Sequence, residues 1–191
     1  MEYVLIASST KKSYNLINHA LNNCIGKHLS VWVSSGSEAR RKINIEDYSL
    51  IIINSPLDDE FGIELAQFAV SQTIAGVIII AKNEIFQDIF ERVIDNGVLV
   101  IPKPLTKISL DLAVRHILAI RERFLSLSME NAKLRKRMED MKIINRAKCI
   151  LIECCGMTEP EAHSYIEKKA MDSRKLKLDV ATELICIHKL D

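Results

Sequence analysis

Short runs of β-branched and other apolar residues recur through the first half of the chain. The clearest runs are residues 3–7, 50–53, 76–81 and 98–101, with a weaker one at 29–33. Each run is continuously apolar rather than alternating, which is typical of a parallel strand covered on both faces. The intervals of roughly 20 to 25 residues leave room for one crossover helix between successive strands. The pattern predicts an α/β domain with a five-stranded, doubly wound parallel sheet over residues 1–108.

Local capping signals agree with helices between these runs. Ser37 precedes a helical pattern at 38–43, and Asn83 precedes another at 84–96; both residue types favour the N-cap position. Gly97 follows the second pattern, where glycine commonly ends a helix. These signals predict α-helices in the crossover connections.

The composition limits the chain to one ordinary domain and one small one. Its 191 residues are 48% hydrophobic, which is enough for a real core, and only 5% are aromatic, which argues against an all-β fold. Residues 1–10 contain no basic run before their apolar residues, and no apolar stretch approaches the length that a bilayer requires. We therefore expect a cytoplasmic protein with no membrane partner.

The chain has five cysteines, an odd number at irregular spacing. This usage predicts reduced thiols rather than a disulfide framework. Two of them are adjacent, and their side chains would point about 100° apart on a helix, so they do not chelate a metal together easily. We expect buried core thiols, with neither a metal site nor a cofactor. The five are Cys24, Cys149, Cys154, Cys155 and Cys186.

From about Ser109 the sequence predicts one long helix, because neither Gly nor Pro occurs between Pro104 and Gly156. Within it, mainly apolar residues alternate spacings of four and three, which is the heptad pattern of a coiled coil. Asn131 occupies an a position, where asparagine favours a two-stranded register. We predict a parallel homodimer through residues 109–142. The seam residues are Ile120, Phe124, Leu127, Asn131, Leu134, Met138 and Met141.

An alternative for this helix remains open. Its apolar stripe could instead pack on the protein's own domain, as a single helix. The flanking charges do not decide the matter, because Glu130 can pair with Arg135 of a second helix whereas Arg137 and Lys142 would repel each other.

Residues 143–191 predict a module of three short helices around a small core. Gly156 and Met157 end the long helix, and Thr158 begins the next one as its N-cap, with Pro160 in the first turn and Glu161 placed for a capping box. The second helix is expected to bury Ala162, Tyr165, Ile166 and Ala170, and the third Leu176, Val180, Leu184 and Ile187.

The same segment resembles the ANTAR domain of transcription antitermination regulators. The resemblance rests on Ala147-Lys148, Ile150-Leu151, the stretch from Gly156 to Ala162, Ala170-Met171, and the stretch from Lys175 to Ala181. Cys149 stands where the family usually has glycine, a change that alters helix packing little. The resemblance implies a protein that binds paired RNA hairpins in leader transcripts, so that an overlapping terminator cannot form.

RNA hairpins are read by shape, phosphate contacts and unstacked bases, so a reader needs Lys and Arg near a few polar side chains. Residues 1–112 hold 10 Lys and Arg against 13 Asp and Glu, and residues 113–191 hold 16 against 12, an imbalance that a solvated helical surface would also show. Tyr165 or His163 could stack on a base if exposed, although Tyr165 also fits the core. The candidate RNA-binding residues are Arg146, Lys148, Lys168, Lys169, Arg174, Lys175 and Lys177.

With such a tail, the N-terminal domain resembles a response-regulator receiver in which most phosphorylation residues are replaced. Ser8 and Ser9 stand where the family has an acidic pair, Asn54 where it has the phosphoacceptor aspartate, and Ala81 where it has a hydroxyl residue; Lys103 matches. Mg²⁺ needs carboxylate oxygens, and phosphoryl transfer needs a carboxylate nucleophile. We interpret the domain as a pseudo-receiver with a vestigial phosphorylation pocket, regulated by a protein or small ligand. Lys103 is then either a solvated loop residue or a contact for an anionic ligand.

Two rival functions remain. A DNA-binding regulator would need a basic recognition helix, but residues 176–191 carry only Lys177, His188 and Lys189. A pure interaction module would use its basic residues as a soluble surface and its coiled coil to recruit a partner. An enzyme is not expected, because no Gly-rich phosphate loop, metal-ligand spacing or nucleophile arrangement occurs in the sequence.

Overall fold

The computed structural model describes residues 2–187, so the end of the predicted C-terminal module, including His188 and Lys189, lies outside the described residues. Strands and helices alternate at first, and helices alone follow. The elements are β1 (Tyr3–Ser8), α1 (Lys11–Ile25), β2 (Leu29–Val33), α2 (Gly36–Ile43), β3 (Leu50–Asn54), α3 (Ile63–Gln72), β4 (Gly76–Ala81), α4 (Asn83–Val93), β5 (Leu99–Pro102), α5 (Lys107–Cys155), α6 (Glu159–Ser173) and α7 (Lys177–Ile187).

The strands form one parallel sheet in the order β2-β1-β3-β4-β5. Alternate side chains of each strand enter two cores. Ile51 and Ile53 pack with α2, α3 and α4 on one face, while Leu50 and Ile52 pack with α1 and α5 on the other. Because helices cover both faces, the strands need apolar residues at every position. The predicted five-stranded, doubly wound fold is confirmed.

Two of the three predicted capping residues are wrong. Helix α2 begins at Gly36 with Ser35 as its N-cap, so Ser37 lies inside the first turn. Helix α4 begins at Asn83 itself, which therefore does not cap it. Gly97 does follow the helical segment, after a short 3-10 turn at Ile94–Asn96, and its φ of 74° is a conformation that glycine adopts without strain.

Helix α5 is 49 residues long and changes surroundings along its length. Leu110, Val114 and Ile117 are buried in the sheet core. The apolar seam residues that follow are all exposed, by 49% at Ile120 and Leu134 up to 62% at Met141. Within residues 2–187 the apolar side chains of the seam are therefore exposed.

The chain divides into two compact units, one reaching Ser126 and the other starting at Leu127. The second unit has a core of its own. It is formed by Ala147, Leu151, Ala162, Ile166, Ala170, Val180, Ala181 and Leu184. Three predicted core positions are wrong: Tyr165, Leu176 and Ile187 are exposed, because only the innermost positions of such short helices are covered.

The capping prediction for α6 is confirmed. Thr158 is the N-cap, Pro160 lies in the first turn, and the Glu161 carboxylate accepts hydrogen bonds from the Thr158 backbone N–H at 2.8 Å and the Thr158 hydroxyl at 2.7 Å. These bonds lower the pKa of Glu161. The helix start that separates α6 from α5 is thus determined by local sequence.

The cysteine prediction is only partly right. All five are free thiols, as expected, but Cys24 alone is buried, and the four in the second unit are exposed. They lie on the outer faces of α5 and α7, away from the small core. None of the helices within residues 2–187 is both long enough and apolar enough to cross a membrane.

Candidate nucleic-acid interface and receiver-like pocket

The predicted pocket residues meet at the carboxyl edge of the sheet, where doubly wound folds place their sites. Ser8 ends β1 and lies in register with Asn54 at the end of β3. Ala81 ends β4, and Lys103 directly follows β5. Ser9 continues from Ser8 and is partly exposed. The structure therefore brings this predicted set to one edge.

The polar side chains of this edge do not form a metal site. The buried Ser8 hydroxyl donates to the carbonyl oxygen of Thr10 at 3.0 Å, and Asn54 is also buried. No group of three or more metal-ligating side chains occurs within residues 2–187. The Mg²⁺ of a receiver does not fit this donor set, because hydroxyl and amide groups lack the anionic oxygens that the ion prefers.

Lys103 is partly buried rather than a solvated loop residue. Its Nζ donates to the carbonyl oxygen of Ser55 at 2.7 Å. Burial lowers the pKa of Lys103, and the charge of Lys82 lowers it further. The Ser55 hydroxyl is fully buried and has no hydrogen-bond partner among the described residues.

A cavity of about 520 Å³ opens beside Lys103. Part of its wall is apolar and comes from α1 and from the loop before α5, through Leu16, Ile17 and Leu105. This apolar wall is not among the site residues predicted from the sequence. The available signal was Leu16, a large apolar residue beside the buried stripe of α1 rather than on it, which the structure leaves 64% exposed.

Three of the predicted RNA-binding residues are engaged in ion pairs. Lys148 contacts Glu159 at 2.7 Å, and this hydrogen bond lowers the pKa of Glu159. Lys175 pairs with Glu183, which raises the pKa of Lys175. Lys177 pairs with Glu167 and lowers the pKa of that carboxyl. A phosphate would have to compete with a carboxylate at each of these lysines.

The other four cations, Arg146, Lys168, Lys169 and Arg174, form no salt bridge among the described residues. Lys169 lies over the ring of Tyr165, with Nζ 5.7 Å from the ring centroid. Tyr165 is 38% exposed, and Tyr165 and Lys168 line two neighbouring depressions of the α6 surface. We call Tyr165, Lys168 and Lys169 the α6 patch.

Arg174 ends α6 with a φ of 53°, the left-handed region that residues other than glycine rarely adopt. Its backbone N–H donates to the carbonyl oxygen of Met171 at 3.2 Å. A residue with a long cationic side chain thus occupies a position that favours glycine.

Known proteins resemble both the C-terminal helical module and the N-terminal domain of this chain. A family model described as ANTAR domain matches residues 132–185. The transcriptional regulatory protein PdtaR of Mycobacterium tuberculosis is 30% identical over 147 residues, which are 76% of this chain and 71% of PdtaR. The aliphatic amidase regulator of Pseudomonas aeruginosa is 35% identical over 66 residues, covering 35% of this chain and 34% of that protein.

The fold of the first unit has solved counterparts. The signal receiver domain of an HD domain-containing protein from Pseudomonas fluorescens superimposes with a TM-score of 0.58 at 16% identity, covering 65% of this chain and 92% of that one. PdtaR and the aliphatic amidase regulator are both named as regulators. The chain therefore belongs to the ANTAR family of transcription antitermination regulators and carries a receiver-like N-terminal domain.

Proposed function

We propose that this regulator binds RNA hairpins in leader transcripts as a dimer, and that protein or ligand contact rather than phosphorylation controls its receiver-like domain. The observation that carries RNA binding is the α6 patch. It presents an exposed aromatic ring and two lysines that form no salt bridge among the described residues. Unstacked loop bases stack on such rings, while neighbouring cations neutralise phosphates.

The ion pairs divide the candidate cations into two groups. Lys148, Lys175 and Lys177 are already compensated by carboxylates, so they contribute less to a phosphate contact. Lys168 and Lys169 carry their charge on the same face as the ring. We therefore place the main RNA contact on α6, with Arg146 and Arg174 as further phosphate ligands.

Dimerisation raises the affinity of the regulator for an RNA that carries two hairpins. The exposed seam of α5 offers a mainly apolar surface for a second copy, and Asn131 at an a position favours two strands. Once one module has bound, the second hairpin meets the other module at high effective concentration, which raises avidity without new contacts.

The proposal that phosphorylation does not control the receiver-like domain rests on the residues at the carboxyl edge of its sheet. A carboxylate is the nucleophile in the receiver reaction, and Asn54 offers an amide in its place. The signal must then reach the domain by binding, either of another protein or of a small ligand.

A gel-shift experiment tests the RNA contact on the full chain. RNA with two hairpins and duplex DNA are titrated over a range of salt concentrations. Replacing both lysines, Lys168→Ala with Lys169→Ala, should weaken RNA binding and reduce the slope of log affinity against log salt by about 4, because each lysine neutralises one phosphate and the dimer carries four of them. Tyr165→Leu should weaken binding of the dimer to two-hairpin RNA about a hundredfold, because one base at each hairpin no longer has a ring to stack on, whereas Tyr165→Phe should weaken it little.

The matched control removes the same charge elsewhere. Lys12→Ala with Lys27→Ala alters two exposed lysines of the receiver-like domain and should leave the salt slope unchanged. An unchanged slope in the α6 variant would show that the RNA contact lies elsewhere. Tighter binding of duplex DNA than of RNA would overturn the proposed function itself.

A further inference from the structure

We infer that the cavity beside Lys103 is a binding site for a small amphipathic organic anion, a carboxylate with a short apolar chain. The cavity measures about 520 Å³, within the range of small-molecule sites. All of its lining residues belong to the first compact unit. The site thus occupies the place of a receiver's phosphorylation pocket and has different chemistry.

Part of the cavity lining is cationic. Lys103 and Lys107 line it together with Asn54 and Thr106, and no Asp or Glu is among the lining residues. Lys103 donates one N–H to the Ser55 carbonyl oxygen, which leaves two donors on its ammonium group. A partly buried ammonium that has no carboxylate beside it gains from an anionic ligand, because the ligand would restore the stabilisation lost on burial.

Another part of the lining is apolar. Leu16, Ile17, Ala20 and Leu105 form a wall that a compact anion such as phosphate would leave in contact with water. Leu16 is 64% exposed and would be covered by a short hydrocarbon chain. A neutral ligand, in turn, would leave the Lys103 charge uncompensated. Only a molecule that combines an anionic head with an apolar tail satisfies both parts of the lining.

The site is placed to influence the long helix. Thr106 and Lys107 line the cavity at the start of α5, where the Ser109 backbone N–H donates to the Thr106 hydroxyl at 3.1 Å. A ligand here would contact the first turn of the helix that carries the seam. This regulatory consequence rests on the proposed function, whereas binding at the cavity does not.

The test titrates the full chain with three probes and follows binding by calorimetry and by backbone amide shifts in NMR. Octanoate carries head and tail, octan-1-ol carries the tail alone, and acetyl phosphate carries an anion without the tail. Octanoate should saturate one site, with shifts clustered at α1, Lys103 and the start of α5. Octan-1-ol and acetyl phosphate should bind at least about tenfold more weakly, because each lacks a partner for either the lysines or the apolar residues of the lining. Acetyl phosphate should also leave the intact mass unchanged.

Two pairs of variants assign the binding to this cavity. Lys103→Met should weaken octanoate binding by about tenfold or more, and Lys27→Met, at an exposed lysine outside the cavity, should not. Leu16→Glu should abolish it by placing a like charge in the apolar wall. Leu112→Glu changes a leucine of equal exposure, 64%, outside this cavity and should bind octanoate normally.

Equal affinity for octanoate and octan-1-ol, or octanoate binding that survives both Lys103→Met and Leu16→Glu, would overturn the inference. Because octanoate binding is measured without RNA, a failure to bind RNA would refute the proposed function and leave the ligand site standing. Normal RNA binding without octanoate binding would refute the ligand site alone.

Discussion

The two halves of helix α5 contain similar apolar residues in opposite surroundings. In its first turns, Leu110 and Val114 are fully buried against the sheet. Further along the same helix, Phe124 and Leu134 are about half exposed, by 55% and 49%. Burial is therefore decided by what the fold places beside a helix, since both halves present apolar residues on the same helical backbone.

Each half of the helix therefore has a different task. The first half completes the covering layer of the sheet, so its side chains contribute to the stability of the receiver-like domain. The apolar seam side chains of the second half are exposed among the described residues, and we propose that they form the dimer interface. Substitutions in the first half should unfold the receiver-like domain, whereas substitutions in the second half should weaken self-association.

The largest effect is expected from Val114→Asp. A carboxylate at a fully buried position of the sheet core would cost more than about 4 kcal/mol, enough to unfold most of the receiver-like domain. Hydrogen exchange by mass spectrometry should show loss of protection in the β-strands and retained protection in α6 and α7. Leu112→Asp, two residues away and exposed, should leave the strands protected. Protected strands in both variants would contradict the division of α5 into a buried and an uncovered half.

Next in size is the effect of Leu134→Asp on self-association. Two leucines leave the seam and two like charges face each other, so the dimer should weaken about a hundredfold or more. Sedimentation velocity across a concentration series measures the change. The thermal midpoint of the receiver-like domain should stay the same, because the substitution lies outside its core.

Met129 provides the matched control for the seam. It is a large apolar residue of the same helix, 70% exposed, but it lies outside the heptad a and d positions. Met129→Asp should leave the dimer intact. If both variants dissociate equally, the surface of association is not the predicted seam.

The strands and the start of α6 could be predicted from sequence for related reasons. The strands were predicted well because helices on both faces require every position to be apolar, a pattern visible without the structure. The start of α6 was predicted because Thr158 and Glu161 interact within one turn. Capping interactions within one helical turn and burial on both faces of a sheet can therefore be recognised from the sequence alone.

Positions at the rim of a small core were predicted poorly. Tyr165 and Leu176 have helical spacings that fit a buried face, yet the second unit is too small to cover them. The four cysteines of that unit were misplaced for the same reason. The cavity beside Lys103 was also missed, because it is formed by α1 and the loop after β5, which are distant in sequence.

The smallest effect concerns a cap that stabilises the receiver-like domain without touching α5. Asp59 accepts hydrogen bonds from the backbone N–H groups of Gly36 at 2.7 Å and Ser37 at 3.0 Å, at the start of α2. Asp59→Ala should destabilise the domain by about 1 kcal/mol, as the removal of a helix cap does, and lower its thermal midpoint by a few degrees. The dimer should be unaffected.

Acid provides a second readout of this cap. Hydrogen bonds from Ser37 and Gly36 lower the pKa of Asp59 to about 2 from its ordinary value of 3.8. Because the folded-state pKa is depressed, the carboxylate contributes its stability above the unfolded value and loses it as pH falls from about 4 to 2. The gap between the thermal midpoints of the wild type and Asp59→Ala should therefore be full at pH 6 and narrow in this window. Asp58→Ala, at the neighbouring exposed aspartate, should have the same thermal midpoint as the wild type. If the gap between the wild type and Asp59→Ala does not change with pH, the charge of Asp59 is not what caps α2.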